Sequence, residues 1–310
     1  MSPARPFFSV VIPTYNRREL LAMTLESVWT QRWHDHEVLV VDDGSTDGTW
    51  DDLEKIRHRV RVLRQANQGP GSARNLALGQ ATGKYVAFLD SDDLWFPWTL
   101  ELYARVIDAR SQPSFVTGCA VTFTRPAELS TVREAPPQDR AFTDYFASGD
   151  AWRWYGLSSF VVKRELIQEA GGFAPASING EDADLALRLG AAPGFVQVES
   201  PATYAYREHA GGVRHELRKT LQGQLHQLAQ EEQGRYPGGA ARARERWRLM
   251  SPHMRSCSIA CAHAGMKAGA WTLYRRTFRW HLSLGRWKYL AAFPLVVLTS
   301  RIKKNVPSSS

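Results

Sequence analysis

Apolar and polar positions along this chain change period several times, and each change marks a predicted element. Phe7–Ile12 is an almost unbroken apolar run stopped by Pro13, which predicts a buried strand. Arg17–Thr30 then repeats apolar residues at Leu20, Leu21, Leu25 and Val28, the spacing of a helix, with Asn16 placed to cap it. Val38–Val41, Val60–Leu63 and Tyr85–Leu89 predict three further short strands. Between them, helices are predicted from Gly48 to about Arg57, with Asp47 as cap, and over Ser72–Ala81, stopped near Gly83. Pro97–Ala109 predicts another helix. Strands alternating with helices at this spacing predict a parallel sheet covered on both faces.

Beyond residue 110 the pattern loosens. Phe115–Phe123 holds one or two strands, and Thr124–Trp154, polar and proline-containing, reads as a long loop or lid. Ser158–Val162 is strand-like, Arg164–Ala170 is a helix ended by Gly171-Gly172, and Glu181–Leu189 is a short helix that opens with acids. Phe195–Val198 and Ala202–Tyr206 read as closing strands. From His215 onward the spacing is helical, interrupted at Tyr236-Pro237-Gly238-Gly239 and at Ser251-Pro252. No internal repeat or extended low-complexity segment is evident.

Charge divides the chain. The formal net charge of the 310 residues is +8, yet residues 251–310 hold ten Lys/Arg and no Asp/Glu, leaving 29 basic against 31 acidic residues in the rest. The basic character therefore belongs to the tail, which argues against a nucleic-acid-binding catalytic domain and for an anionic surface facing the C-terminal segment. Three cysteines, Cys119, Cys257 and Cys261, are too few and odd in number for a disulfide framework, so a reducing compartment is expected. The N-terminus lacks a long apolar stretch of the secretory type, and no uncharged apolar run reaches the ~20 residues that span a bilayer.

Two of the predicted strands deliver carboxylates at their C-terminal ends: Asp42 and Asp43 after Val38–Val41, and Asp90, Asp92 and Asp93 after Tyr85–Leu89. Acids just past buried strands sit on the rim where open α/β sheets bind ligands. Their convergence suggests a divalent cation and, through it, an anionic ligand. Asp42-Asp43-Gly44-Ser45 is also good turn chemistry, and acids at the start of a helix, as at Glu181–Asp184, are favoured by its dipole alone.

Taken together, Pro13-Thr14-Tyr15-Asn16-Arg17, the VVDDGSTDGT stretch, Gly69–Asn75, the FLDSDD stretch and the NGEDADLALRL stretch resemble the family 2 glycosyltransferases of the GT-A fold, over roughly Phe8 to Gly212. The resemblance implies an α/β fold of GT-A (nucleotide-diphospho-sugar transferase) type. This is a Rossmann-like mixed sheet flanked by helices over residues 1–212, followed by a basic helical C-terminal extension over 213–310. It implies that Pro13, Thr14, Tyr15, Asp42 and Asp43 line the nucleoside pocket, with a carboxylate able to accept the N3–H of uracil from either aspartate. Asp90-Ser91-Asp92 matches the family's DxD motif. Asp92 is thereby the metal ligand for Mn²⁺ or Mg²⁺, with Asp90 near the ribose or a metal-bound water and Ser91 beside the nucleotide. Arg74, at the start of a helix, is in position to pair with the base or the diphosphate. The same resemblance makes Asp182 the general base, with Glu181 adjacent and Asp184 a substitute. An ordinary aspartate is already ionised at neutral pH. The stretch Tyr206-Arg207-Glu208-His209 resembles the segment that closes the site, where His209 could reach the metal and Arg207 a phosphate.

Several other patterns compete. Gly69-Pro70-Gly71 begins like a dinucleotide loop, but Arg74 stands where the third glycine is needed and the segment follows the third strand rather than the first. His253, Cys257 and Cys261 recur at helical spacing, but a zinc site needs about four ligands and such residues also pack on one apolar face. Trp152, Trp154 and Tyr155 could stack on an acceptor sugar or anchor a loop. Trp271, Tyr274, Phe278 and Leu282 share a helical face, followed by Arg286, Lys288, the apolar Leu290–Leu298, and Arg301, Lys303 and Lys304. This composition suits a helix lying in a membrane interface over residues 271–304, or a helical cap or oligomer contact. The QxxRW motif of processive members of the family is not found.

The expectation is an inverting, metal-dependent transferase. It would move one sugar from a nucleotide donor, UDP favoured, to a surface glycan or a lipid-linked oligosaccharide at the cytoplasmic face of the cell membrane. The alternative is a non-catalytic sugar-nucleotide or glycan-binding subunit on the same fold.

Overall fold

The computed structural model describes residues 5–151, 156–174, 178–208 and 216–299. The chain forms two compact units, residues 1–177 with 181–212, and residues 178–180 with 213–310.

The first unit is built on β1 (Phe8–Thr14), every residue of which is buried. β1 pairs in parallel with β2 (His36–Asp42) on one side and β4 (Tyr85–Phe88) on the other, and β3 (Arg61–Arg64) extends the sheet beyond β2. A strand flanked on both edges and covered on both faces is expected to be largely apolar, as β1 is from Val10 to Pro13. Of its two polar residues, Ser9 and Thr14, Ser9 is satisfied internally: Oγ donates to Glu37 at 2.7 Å and accepts from the Gly83 N–H at 2.8 Å.

Among the described residues the sheet has eight strands in the order β3-β2-β1-β4-β9-β6-β10-β8, with β6 at Phe115–Thr117, β8 at Gln138–Phe142, β9 at Phe160–Lys163 and β10 at Phe195–Ser200. β9 runs antiparallel to both β4 and β6, and β8 antiparallel to β10, so the sheet is mixed rather than parallel throughout. A second sheet of three short strands, β5 (Leu94–Trp95), β11 (Tyr204–Arg207) and β7 (Ala120–Phe123), lies apart from the first. The predicted strands around 115–123 and around 195–206 thus split between two sheets. The stretch predicted as loop or lid contributes a 3₁₀ turn (Pro126–Thr131), the edge strand β8 and a one-turn helix, α5 (Tyr145–Ser148). β8 is bonded on one side only and is largely exposed, so it carries no apolar alternation to betray it.

Besides α5, the helices of this unit among the described residues are α1 (Arg18–Trp29), α2 (Thr49–Lys55), α3 (Pro70–Leu78), α4 (Thr99–Ala109), α6 (Arg164–Glu169) and α7 (Glu181–Arg188). The expected cap of α1 is corrected. Asn16 takes a left-handed φ of 50°, and its Oδ1 accepts the Thr46 N–H instead. Asp47 caps both neighbours, accepting the Arg18 N–H at the start of α1 and the Thr49 N–H at the start of α2, each at 3.1 Å.

The second unit is helical: α8 (Leu217–Glu232), α9 (Ala243–His263), α10 (Lys267–Ser283) and α11 (Trp287–Thr299). The break expected at Ser251-Pro252 is absent, because α9 continues through Pro252. Burial of Leu249, Met250, Met254, Cys257 and Cys261 on one face outweighs the backbone hydrogen bond that proline forfeits. Cys257 and Cys261 pack as free thiols 4.0 Å apart. Arg246 forks onto Glu231 at 2.6 and 3.1 Å, and Trp247 Nε1 donates to the same carboxylate at 2.9 Å, so this buried charge is fully partnered. Trp271 and Tyr274 of α10 join Tyr289 and Phe293 of α11 in an aromatic cluster, with Tyr274 and Phe293 stacked at 4.5 Å.

Candidate active site

Strand register builds the site. Thr14 at the end of β1 pairs with Asp42 at the end of β2, and Val11 pairs with Phe88 at the end of β4. The residues just past all three strands therefore share one rim. Asp42 is fully buried; one oxygen accepts the Ser45 N–H at 3.0 Å, and Arg64 Nε lies 3.1 Å from the other as an ion pair without hydrogen-bond alignment. Asp43 accepts from the Gln65 side chain at 2.7 Å, the Gln68 N–H at 3.0 Å and the Gly69 N–H at 2.8 Å. The pair thus fixes the turn after β2 and the loop into α3. Pro13 and Thr14 are buried beside it, the Thr14 hydroxyl lacking a partner, and Tyr15 is exposed on the rim.

Past β4, Asp90, Asp92 and Asp93 fall within a span of four residues and would repel one another without compensation. Asp90 Oδ1 accepts from Arg74 at 2.6 Å, and Asp92 is ion-paired with Arg17. Asp93 is buried; it accepts from the Ser158 hydroxyl at 2.6 Å and the Arg207 N–H at 3.1 Å. Burial, then Asp92 and Asp90, push its carboxyl well above the usual range. Ser91 is buried in the same turn. Arg207 donates from Nε to the Asp92 carbonyl at 2.9 Å and lies 4.5 Å over the Phe123 ring, so it serves here as a brace of the acidic turn.

Arg74 links this turn to α7. It is buried, donates to Asp90 and, at 2.9 Å, to Glu181, and lies 5.3 Å over the Phe173 ring. Burial alone would lower its pKa, but the two carboxylates outweigh that and raise it. Its Nε has no partner. Asn75 fixes the approach to α7: Nδ2 donates to the Phe173 carbonyl at 2.9 Å and Oδ1 accepts the Phe173 N–H at 2.8 Å. Gly172, at a left-handed φ of 69°, passes so close that a Cβ would stand 2.3 Å from Asn75 Oδ1. Asp182 accepts the Ala183 N–H at 2.8 Å. Its carboxyl is pushed up to about 7 by burial and then by Glu181, although a window to solvent remains. The expectation of an aspartate fully ionised at neutral pH is thereby corrected, because the environment disfavours its charge. Asp184 is buried and paired with Arg188 at 2.9 Å.

The structure therefore gathers Thr14, Asp42, Asp43, Asp90, Ser91, Asp92, Arg74 and the first turn of α7 on one side of the sheet. His209, Trp152, Trp154, Tyr155, Arg301, Lys303 and Lys304 lie outside the described residues. Sequence reasoning missed Arg17, Asn75 and Ser158, whose roles depend on partners 75, 98 and 65 residues away. Asp90 and Asp92 present hard oxygen donors at the rim, and among the described residues no cluster of three His, Cys, Asp or Glu could hold an ion unaided. That donor set fits a cation held by one or two carboxylates with ligand phosphates supplying the rest.

Residues 9–156 match the family model described as glycosyl transferase family 2. The match stops short of Glu181 and Asp182. A protein of Bacillus subtilis strain 168 named for teichuronic acid biosynthesis, the glycosyltransferase TuaG, is 43% identical over 128 residues, covering 40% of this chain and 48% of its own. The chain thus spans about half the length of the first relatives it matches. In structure the chain is similar to residues 1–349 of S. aureus TarS in complex with UDP-GlcNAc, with a TM-score of 0.55 and 19% identity over 90% of this chain and 92% of that one. It is also similar to the mannosyltransferase PcManGT of Pyrobaculum calidifontis in complex with GDP-Man and Mn²⁺, with a TM-score of 0.55 and 21% identity over 96% and 89% of the two chains. At those identities the likeness speaks for the fold, and the mixed sheet flanked by helices is that of the GT-A transferases. Over residues 9–156, a little under half of its length, the chain is similar to glycosyl transferase family 2.

Proposed function

We propose that the protein is an inverting, metal-dependent glycosyltransferase. It moves one sugar from a nucleotide-sugar donor, UDP favoured and GDP or dTDP the alternatives, to a hydroxyl of a surface-glycan or lipid-linked acceptor. The observation that carries this reading is the junction at Arg74, where the acidic turn after β4 meets the helix that bears Asp182. The complexes of TarS with UDP-GlcNAc and of PcManGT with GDP-Man and Mn²⁺ support a nucleotide-sugar donor and a cation on this fold.

In this reading Thr14, Tyr15 and the Asp42–Asp43 turn receive the nucleoside, and Arg74 and Ser91 lie beside the phosphates. A Mn²⁺ or Mg²⁺ ion held by Asp92 and Asp90, with His209 a further candidate, would neutralise charge developing on the diphosphate. Asp182 accepts the proton of the acceptor hydroxyl as its oxygen attacks the anomeric carbon and the bond to the diphosphate breaks. A single base opposite the leaving group gives one displacement, with inversion. The acceptor would be met at the cytoplasmic face of the membrane, with the C-terminal helices as the contact.

The test is nucleotide release across UDP-, GDP- and dTDP-sugars with Mn²⁺, Mg²⁺ or EDTA, for wild type, Asp92→Ala and Asp182→Asn. Release from one donor is expected, abolished by EDTA and reduced ~100-fold or more in both variants. Unchanged turnover by Asp182→Asn, or a product anomer of unchanged configuration, would refute the mechanism. Metal-dependent nucleotide binding without turnover in the presence of acceptor would identify a binding subunit.

A further inference from the structure

Among the described residues, the helix pair α10–α11 leaves an apolar face exposed. α11 is apolar at every position except Lys288 and Thr299, the composition of a helix meant to be buried. Only one side is buried, through Tyr289, Leu290, Phe293 and Val297. The other side presents Trp287, Leu295 and Leu298, 62%, 63% and 75% exposed, at spacings of eight and three residues that align them. On α10, Phe278 and Leu282 are each 39% exposed one turn apart, and Phe278 meets Tyr274 edge-on at 5.8 Å, continuing the aromatic cluster outward.

Charge selects what covers this face. Arg275, Arg279 and Lys288 are exposed among these apolar residues, and residues 251–310 hold ten basic side chains and no acidic one. A second copy docked on the same face by a two-fold axis would bring like charges together. An anionic bilayer complements both halves of the pattern: apolar side chains enter the acyl boundary, the indole of Trp287 suits the interface, and the cations meet the headgroups. No helix among the described residues is long and apolar enough to cross a membrane, so the contact would be one that lies on the surface. We infer that the exposed face of α10–α11, centred on Trp287, Leu295 and Leu298, seats on a membrane rich in anionic lipid. This deepens the membrane contact proposed above, but it rests on the second unit alone and not on the chemistry of the first.

Co-sedimentation of the full chain, without donor or acceptor, with phosphatidylcholine vesicles and with vesicles containing phosphatidylglycerol tests it. Binding is expected to the anionic vesicles, about five-fold stronger for each basic residue that reaches the surface, and weakened by 0.5 M salt. The triple variant Trp287→Ser, Leu295→Ser, Leu298→Ser is expected to lose about 100-fold in binding. It should keep its thermal melt and its nucleotide release in the absence of vesicles. Equal binding by the triple variant, preference for neutral vesicles, or a wild-type dimer that the triple variant dissociates would each overturn the inference. Loss of nucleotide release with vesicle binding intact would instead count against the transferase reading.

Discussion

The rate of the proposed reaction should follow the titration of Asp182. Burial, then Glu181, push its carboxyl from 3.8 up to about 7. For a base with that pKa the ionised fraction is about one tenth at pH 6, about half at pH 7 and about nine tenths at pH 8. Turnover should therefore climb roughly five-fold between pH 6 and 7 and roughly two-fold between pH 7 and 8. Glu181→Gln should move the curve to lower pH through two effects of one sign. A negative neighbour disappears, and Arg74, released from its 2.9 Å bond to Glu181, exerts more of its charge on Asp182. The linkage to stability runs opposite to that of an ordinary carboxylate. The folded state keeps this proton while the unfolded chain loses it, so stability falls as pH rises from about 4 to about 7, by at most about 4 kcal/mol and by less where solvent reaches the carboxyl. Initial rates of nucleotide release at saturating donor, taken from pH 5.5 to 9 at constant ionic strength, are the assay. A flat wild-type profile, or a Glu181→Gln curve displaced upward, would refute the reasoning.

Arg74→Met should destabilise the first unit by about 3 kcal/mol, because it strands Glu181 and Asp90 together; a shift below 1 kcal/mol in urea unfolding at unchanged slope would show that the junction is not structural. The same variant should displace the pH profile upward, since Arg74 favours the ionised form of Asp182. Gly172→Ala should cost about 3 kcal/mol, combining left-handed backbone strain with the 2.3 Å approach to Asn75 Oδ1. In an Asn75→Ala background the steric part should vanish, leaving about 1 kcal/mol, a coupling that a double-mutant cycle measures directly.

The first half of the sheet was readable because β1, β2 and β4 are buried on both faces, and uninterrupted apolar runs announce them. The acids past β2 and β4 were readable for the same reason, since a strand end fixes where the next residues stand. β9 is as apolar as β4, but nothing local encodes that it enters between β4 and β6 running the opposite way. β5 is too short to show a period, and β11, readable as a strand at Ala202–Tyr206, carried no local sign that it joins a second sheet. Of the candidate site, the carboxylates were visible and their partners were not. Arg17 looks like any first-turn arginine until Asp92 is seen beside it, and Asn75 looks like a surface helix residue until Phe173 is seen on its amide. The tail's basic composition was plain in the sequence, whereas its division into a packed cluster and an uncovered side required the helix pairing.

The order of strands also decides where this chain can be cut. Residue 156, where the family match ends, falls before β9 and β10, yet both lie inside the sheet and not at its border. A fragment ending there would keep every acid of the rim and leave β4 and β6 with raw hydrogen-bonding edges, a template for association with other chains. During synthesis β4 must likewise wait more than seventy residues for its second neighbour, so the sheet closes late and across a long span of chain. The matched stretch is thus shorter than the sheet it belongs to, and expression boundaries drawn on it would yield a sheet split through its middle.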